Sequence, residues 1–360
     1  MNSEWSPVGP VRAARRRPTY ILTVPLPAPP RILAVRLSSI GYVILITPLL
    51  RAIRTRHPDA HLAVLTKRAF APLFQDDPRI DQVIALEPGE SLAALARRLR
   101  RERFTHGLDL HGSLRSRALR LLVPARWRGY DKRAFARWAL IHLHRHWYRD
   151  AVPTPERYFE AAQDLDVHPD GGPPAIRLPA AAEHAADAWL VAHGISGPFV
   201  ALAPGAAHAT KRWLASSCSA LAAALARRHI GVVTVGGPDD REVGAEVAAA
   251  AGGAGANAAG ATTLIETAAL LRRAAATVSG DTGVMHLATA VGTPVVALFG
   301  PTVREFGFFP YTPAATVIER DLDCRPCSAH GSARCPLGHH DCLRKIDVAT
   351  VEAAVLEWIR

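Results

Sequence analysis

A chain of 360 residues is long enough for two domains, each with its own core. Hydrophobic residues make up 49% of it, which excludes disorder over most of the length, and no apolar run approaches the roughly 20 residues of a spanning helix. The formal net charge of +11, carried largely by arginine, points to an anionic partner (nucleic acid, a membrane face or a phosphorylated substrate) or, equally, to an arginine-rich genome.

Residues 1–30 carry basic and Pro-rich stretches around an apolar "YILTV" too short for a signal-peptide core, and they read as a disordered leader. From Arg31 short β-rich runs alternate with helical ones. "RILAVRL" predicts a strand, Val43 to His57 a helix ending before Pro58, "HLAVLTK" a strand, "FAPLFQDD" a short helix and "IDQVIAL" a strand. "ESLAALARRLRRER" predicts an amphipathic helix, and "HGLDLHG" a strand running into a glycine turn. This rhythm argues for a parallel sheet wrapped by helices over residues 31–177, before a Pro/Gly-rich linker at 166–180.

The alternation resumes over residues 178–345. "PFVALAPG", "IGVVTVGG" and "PVVALFGPT" predict strands with turns, the last closing the series. "SSCSALAAALARRH", "REVGAEVAAAAG" and "TLIETAALLRRA" predict helices, "ATVSGDTGVMHLATAVG" a strand, turn and helix, and residues 346–360 a C-terminal helix. Two doubly wound domains in tandem imply a cleft onto which their strand C-termini face.

Three turns carry candidate chemistry. In "SGDTGVMHLATAVGTPVVALFGPT", Asp281-Thr282-Gly283 lies between a strand and a helix, where backbone N–H groups and the Thr282 hydroxyl suit a diphosphate. His286 follows one helical turn on; a plain N-cap by Asp281 with His286 in the core is the bland alternative. In "APGAAHATKRW", Thr210 and Lys211 precede a helix, and a lysine there is a counter-charge for a leaving phosphate, or an ordinary solvated residue. In "VGGPDDREVG", Asp239 or Asp240 stands where a carboxylate can accept ribose hydroxyls, or can merely cap a helix.

Together with "RLSSIGYVILITPLLRAIR", "LDLHGSLRSRAL" and "CPLGHHDCL", these turns resemble glycosyltransferase family 9, the heptosyltransferases of lipopolysaccharide inner-core assembly, from about Arg31 to the C-terminus. The resemblance implies two Rossmann-like domains in the GT-B arrangement. It also implies inverting, metal-independent transfer of heptose from ADP-heptose, or a related nucleotide sugar, to a lipid-linked core oligosaccharide. No cofactor is then required for transfer, and nucleic acid is not an expected partner. Thr210, Lys211, Asp239, Asp281, Thr282, Gly283 and His286 would hold the nucleotide sugar. Ser38, Ser39, Gly41, Arg115 and Arg117, with the run "RAFARWALIHLHRHWYR", would face the acceptor. The protein would work in the cytoplasm against the anionic inner-membrane surface.

One position departs from the pattern. The family usually places an aspartate, taken as the general base, after the glycine of S-S-x-G-D; this chain has Tyr42. A phenol of unperturbed pKa about 10 is protonated at neutral pH, and general-base assistance is typically worth ~10²–10⁴-fold. Asp109 and His111, at the end of the "LDLHG" strand, are the nearest substitutes by topology. The alternative is a member of the family that binds nucleotide sugar or glycan without turning it over.

Cys324, Cys327, Cys335 and Cys342, with His330, His339 and His340 interleaved, form C-x₂-C-x₇-C-x₆-C. Four thiolates could hold a structural zinc or iron; reduced thiols and disulfides are the alternatives. Cys218 reads as a small buried hydrophobe.

Overall fold

The computed structural model describes residues 29–359, so the leader expected over residues 1–30 falls almost wholly outside the described residues. The first domain runs β1 (Arg31–Val35), α1 (Ile40–Ile44), α2 (Thr47–Arg56), β2 (His61–Lys67), β3 (Gln82–Leu86), α3 (Leu92–Arg101), β4 (His106–Asp109), α4 (Leu114–Leu122), β5 (Arg126–Gly129), α5 (Ala134–Leu143) and α6 (Thr154–Arg157). Its five strands lie in the order β3-β2-β1-β4-β5, and every pairing is parallel. Helices cover both faces, so Ile32, Leu33, Ala34 and Val35 of the central strand are all fully buried.

The second domain runs α7 (Ala180–Ala192), β6 (Phe199–Ala203), α8 (Ala215–Arg227), β7 (Gly231–Thr234), α9 (Arg241–Ala250), β8 (Gly255–Asn257), α10 (Leu264–Arg273), β9 (Ala276–Gly280), α11 (Gly283–Ala290), β10 (Val295–Phe299), β11 (Ala315–Glu319), α12 (Asp341–Arg344) and α13 (Val348–Trp358). Its parallel sheet has the order β11-β10-β9-β6-β7-β8. Val351 and Val355 of α13 pack with Val200, Leu221 and Leu298, so the C-terminal helix belongs to the core of this domain. The linker lies against both halves. Ala175 N–H donates to Thr47 Oγ1 and Ile176 N–H to the carbonyl of Ala290.

In each sheet the order of adding strands reverses once, between β1 and β4 and between β6 and β9. A crevice opens outside the strand C-termini at such a switch point, and here the two crevices face one another. The turns after β1, β4, β6 and β9 therefore meet in one cleft.

The structure corrects several sequence expectations. The helix expected from Val43 to His57 is two helices, α1 and α2, broken at Leu45–Ile46. Pro48 has no N–H to give to the carbonyl one turn back, so the ladder restarts there. Three strands escaped the pattern. β5 alternates two arginines outward, β8 has three residues, and β11 extends the sheet beyond β10, which was expected to close it. All three are edges or short, where burial imposes the least apolar signal.

Candidate active site

Two glycines set how closely the domains approach. A Cβ on Gly283 would lie 1.9 Å from Cγ2 of Ile40, and a Cβ on Gly41 would lie 2.4 Å from Cδ2 of His286. Helix α1 of one domain thus beds directly on α11 of the other. Gly41 and Gly283, singled out as ligand contacts, have a packing reason to be glycine as well. His286 is buried at this junction with Nδ1 unpartnered, and burial pulls its imidazole down to about 4, so it stays neutral.

A cavity of about 450 Å³ opens beside this junction. It is lined by Ser38, Ser39, Gly41 and Tyr42 from the β1 side and by Lys211, Asp281, Thr282, Gly283 and His286 from the β6 and β9 side. Thr282, not Asp281, caps α11: its hydroxyl accepts from Val284 N–H at 3.2 Å and lies 2.9 Å from Ser279 Oγ. Asp281 instead receives Lys211 Nζ at 2.6 Å and Thr302 Oγ1 at 2.8 Å. The pair fixes a lysine at the mouth of a helix N-terminus, a place suited to a polyanion.

Two expected nucleotide ligands are placed otherwise. Thr210 is buried and holds Ser332, accepting from its N–H at 2.8 Å and donating to its carbonyl at 3.0 Å. It therefore anchors the cysteine-rich loop. Asp239 is exposed on the turn after β7, outside the cavity lining, while its neighbour Asp240 accepts from Gly237 N–H at 2.9 Å.

The β4 turn separates the two substitutes proposed for the missing base. Asp109 is buried and its carboxylate accepts from His111 N–H, Gly112 N–H and Ser116 Oγ at 3.1, 2.7 and 3.1 Å, which commits it to shaping the turn. His111 lines a second, smaller cavity of about 140 Å³. Its Nδ1 is buried without a partner, and burial beside Arg36 and Lys132 pulls the ring down to about 4.

That smaller cavity is cationic. Arg36, Lys132, Arg137 and Arg157 line it with His111, and among the described residues no carboxylate does. Burial and the charges of Arg36 and Arg137 lower the Lys132 ammonium's pKa, and burial lowers that of Arg157. Arg115 and Arg117, the arginines expected to face the acceptor, are exposed on α4 and line neither cavity. Sequence reasoning missed Arg36, Lys132 and Arg157. Only Arg36 carried a signal, as the first residue beyond a central strand at a switch point.

Tyr42 stands between the cavities and lines both. The Arg36 guanidinium lies 4.3 Å from its ring centroid, Phe308 meets it edge-on at 5.4 Å, and its hydroxyl lies 3.4 Å from Nδ1 of His330. Burial pushes the phenol further above its ordinary value, so it keeps its proton.

His330 comes from the cysteine-rich loop, which Arg325 ties down through the carbonyls of Gly300, Arg320 and Thr302 at 2.5, 2.5 and 2.9 Å. All four thiols are free, and none lines either cavity. Cys327 and Cys342 are raised by burial and by the other thiols of the cluster. Among the described residues, however, no three His, Cys, Asp or Glu side chains are grouped to hold a metal ion. Cys218 is buried in α8 as expected.

Two doubly wound domains whose switch points face across a cleft define the GT-B class of glycosyltransferase fold. The model of glycosyltransferase family 9 (heptosyltransferase) matches residues 92–337. Lipopolysaccharide heptosyltransferase 2 of Salmonella typhimurium is 29% identical over 77% of this chain and 84% of its own, and that of Escherichia coli is 28% identical over the same shares. The solved structure of E. coli ADP-heptose lps heptosyltransferase II superposes with a TM-score of 0.72 at 26% identity, covering 91% of this chain and 98% of that one. The chain belongs to glycosyltransferase family 9. It is a glycosyltransferase by family, and these relatives are lipopolysaccharide heptosyltransferases.

Proposed function

We propose that this protein moves a heptose from ADP-heptose to a lipopolysaccharide inner-core acceptor, by one inverting displacement that uses no metal ion. The observation that carries this reading is Lys211, fixed by Asp281 at the N-terminus of α11 and facing the β1 turn across the larger cavity. A diphosphate placed there meets the ammonium and the helix end as negative charge develops on the leaving oxygen. Among the described residues Asp281 is the only carboxylate lining that cavity, and it is already engaged by Lys211 and Thr302. A divalent cation wants several free oxygen ligands, so lysine and helix dipole take its role. The acceptor enters from the smaller cavity, where Arg36, Lys132, Arg137 and Arg157 favour an anionic sugar. Attack then comes from the side opposite the leaving group, which inverts the anomeric carbon.

We also place the protein in the cytoplasm, resting on the inner-membrane surface. Among the described residues no helix is long and apolar enough to cross a membrane. On the first domain Phe135 is exposed and stacks with Trp138 and Trp147, and Leu114 and Leu121 are exposed beside arginines on α4. Apolar and cationic side chains together suit an anionic lipid face. A second reading, binding without turnover, is favoured by the protonated phenol of Tyr42 at the place of the family's base.

Calorimetric titration tests the donor site. ADP and ADP-heptose should bind and UDP-sugars should bind less tightly, with Lys211→Ala weakening ADP by roughly 1–3 kcal/mol, the scale of a charge-assisted hydrogen bond and its unpaired partner. Unchanged affinity in Lys211→Ala removes that residue from the site. No nucleotide binding at all removes both readings.

A further inference from the structure

We propose that His330, on the cysteine-rich loop of the second domain, is the general base of the transfer, taking the acceptor hydroxyl's proton on Nε2. The proposal rests on the donor and acceptor cavities assigned above. If those are right, the reacting atoms meet where the cavities join, and four side chains line both: Arg36, Tyr42, Phe308 and His330. A guanidinium has no basic lone pair at any working pH, and a benzene ring has none at all. The phenol of Tyr42 is held protonated by burial. His330 is the one group left at the junction that can accept a proton.

Its placement suits the task. The imidazole stacks on Phe308, with centroids 5.7 Å apart and planes at 29°. Nδ1 lies 3.4 Å from Tyr42 Oη. With the proton on Nδ1, donated towards that oxygen, the lone pair sits on Nε2, which has no hydrogen-bond partner among the described residues. In that tautomer the Tyr42 oxygen accepts from Nδ1 and helps to orient the ring.

The backbone around His330 is pinned. Gly331 adopts φ +95°, and a Cβ there would lie 2.8 Å from Cβ of His208. Ser332 is held to Thr210 by four hydrogen bonds, from both backbone and side chain. A loop otherwise rich in turns is thus locked onto the segment that carries Lys211. Burial, with Arg137 and Lys211 nearby, pulls the His330 imidazole down to about 4. It is neutral at physiological pH and about as basic as an ordinary carboxylate.

The step balances without a further reagent. The acceptor O–H gives its proton to Nε2 as its oxygen forms the bond to the anomeric carbon. The bond from that carbon to the diphosphate oxygen breaks, and its electron pair leaves with ADP. The imidazolium then loses its proton to water.

The test uses the full chain with ADP-heptose and lipopolysaccharide truncated after its first heptose, following ADP release. His330→Gln should bind ADP as the wild type does and lose ~10²–10⁴-fold in kcat. His330→Ala should lose as much and regain part of it when imidazole is added to the assay. Turnover within about threefold of wild type in His330→Gln overturns the proposal. So does ADP affinity lost along with turnover, which would make His330 a structural prop, or an inactive His330→Ala that imidazole does not rescue. A wild-type chain that binds ADP and transfers nothing also overturns it, whereas failure to bind ADP strikes the donor-site reading first.

Discussion

In the turn after β9 each polar side chain has found a partner. Asp281 holds Lys211 and Thr302, and Thr282 holds Val284 N–H and meets Ser279. In the turn after β1, across the cleft, the polar groups are largely unspent. Arg36 Nη1 donates to the carbonyl of Leu110 at 2.5 Å but its Nε is buried without a partner, the Ser39 side chain makes no capping bond, and the Tyr42 hydroxyl has one long contact, to His330. Leaving a buried donor unpaired costs about 1–3 kcal/mol, a cost a fold tolerates where a ligand supplies the missing acceptor. On the function proposed above, the comparison separates a preorganised donor turn from an acceptor side that a second substrate would complete.

The largest expected effect breaks that contrast by giving the β1 turn a base of its own. In His330→Gln, adding Tyr42→Asp should raise kcat by ~10²-fold, because it puts a carboxylate back at the family's usual position. In the otherwise natural chain, Tyr42→Asp should change kcat far less, since His330 already does the work. The assay is the same ADP-release measurement, with ADP affinity as control. A large gain in the natural background, with none in His330→Gln, would mean that position 42 and His330 act in one chain and not as alternatives.

The unevenness between the two sides also governed what the sequence could tell. The turn after β9 was legible because its residues are consecutive: Asp281, Thr282 and Gly283 fill it, and Lys211 stands in an equally compact motif. The buried central strands were legible for the same reason, as unbroken apolar runs such as Ile32–Val35. The acceptor side is assembled from far apart. Arg36 follows β1, Lys132 follows β5, Arg157 ends α6 and His330 lies in the second domain, so only the folded topology brings them together. Local patterns misled where a side chain had two possible tasks. Asp109 was expected as a substitute base and Thr210 as a nucleotide contact, and the carboxylate and hydroxyl of each are engaged in holding loops.

A smaller effect sharpens the part played by glycine where the two sides touch. Gly283→Ala would drive a methyl group to 1.9 Å from Ile40 Cγ2, so α1 and α11 must separate. Overpacking of this kind costs typically ~1–3 kcal/mol, read as a lower midpoint in denaturant unfolding. Because the clash is with one side chain, Ile40→Ala should relieve it, and the double variant should be less destabilised than the sum of the singles. Additive losses would show that the helix N-terminus, and not the contact with Ile40, requires glycine at this position.

The smallest expected effect separates the arginines that the sequence put forward from the cations that the fold selects. Arg115 and Arg117 are exposed on α4 and line neither cavity, so removing both should shift the acceptor KM by no more than about twofold, the modest scale of exposed charges. Lys132 and Arg137 line the smaller cavity, where no carboxylate among the described residues competes for them, so Lys132→Ala or Arg137→Ala should raise that KM by roughly tenfold or more, since a hydrogen bond to a charged group is worth about 1.5–3 kcal/mol. ADP affinity should hold in all of them, because the diphosphate is gripped from the other domain. Salt gives a second readout: raising ionic strength should erode the remaining effect of Arg115 and Arg117 first, since exposed charges are screened before buried ones. If the exposed pair proves the more costly to remove, the acceptor's anionic groups lie along α4, and the cationic cavity beside Tyr42 serves some other ligand.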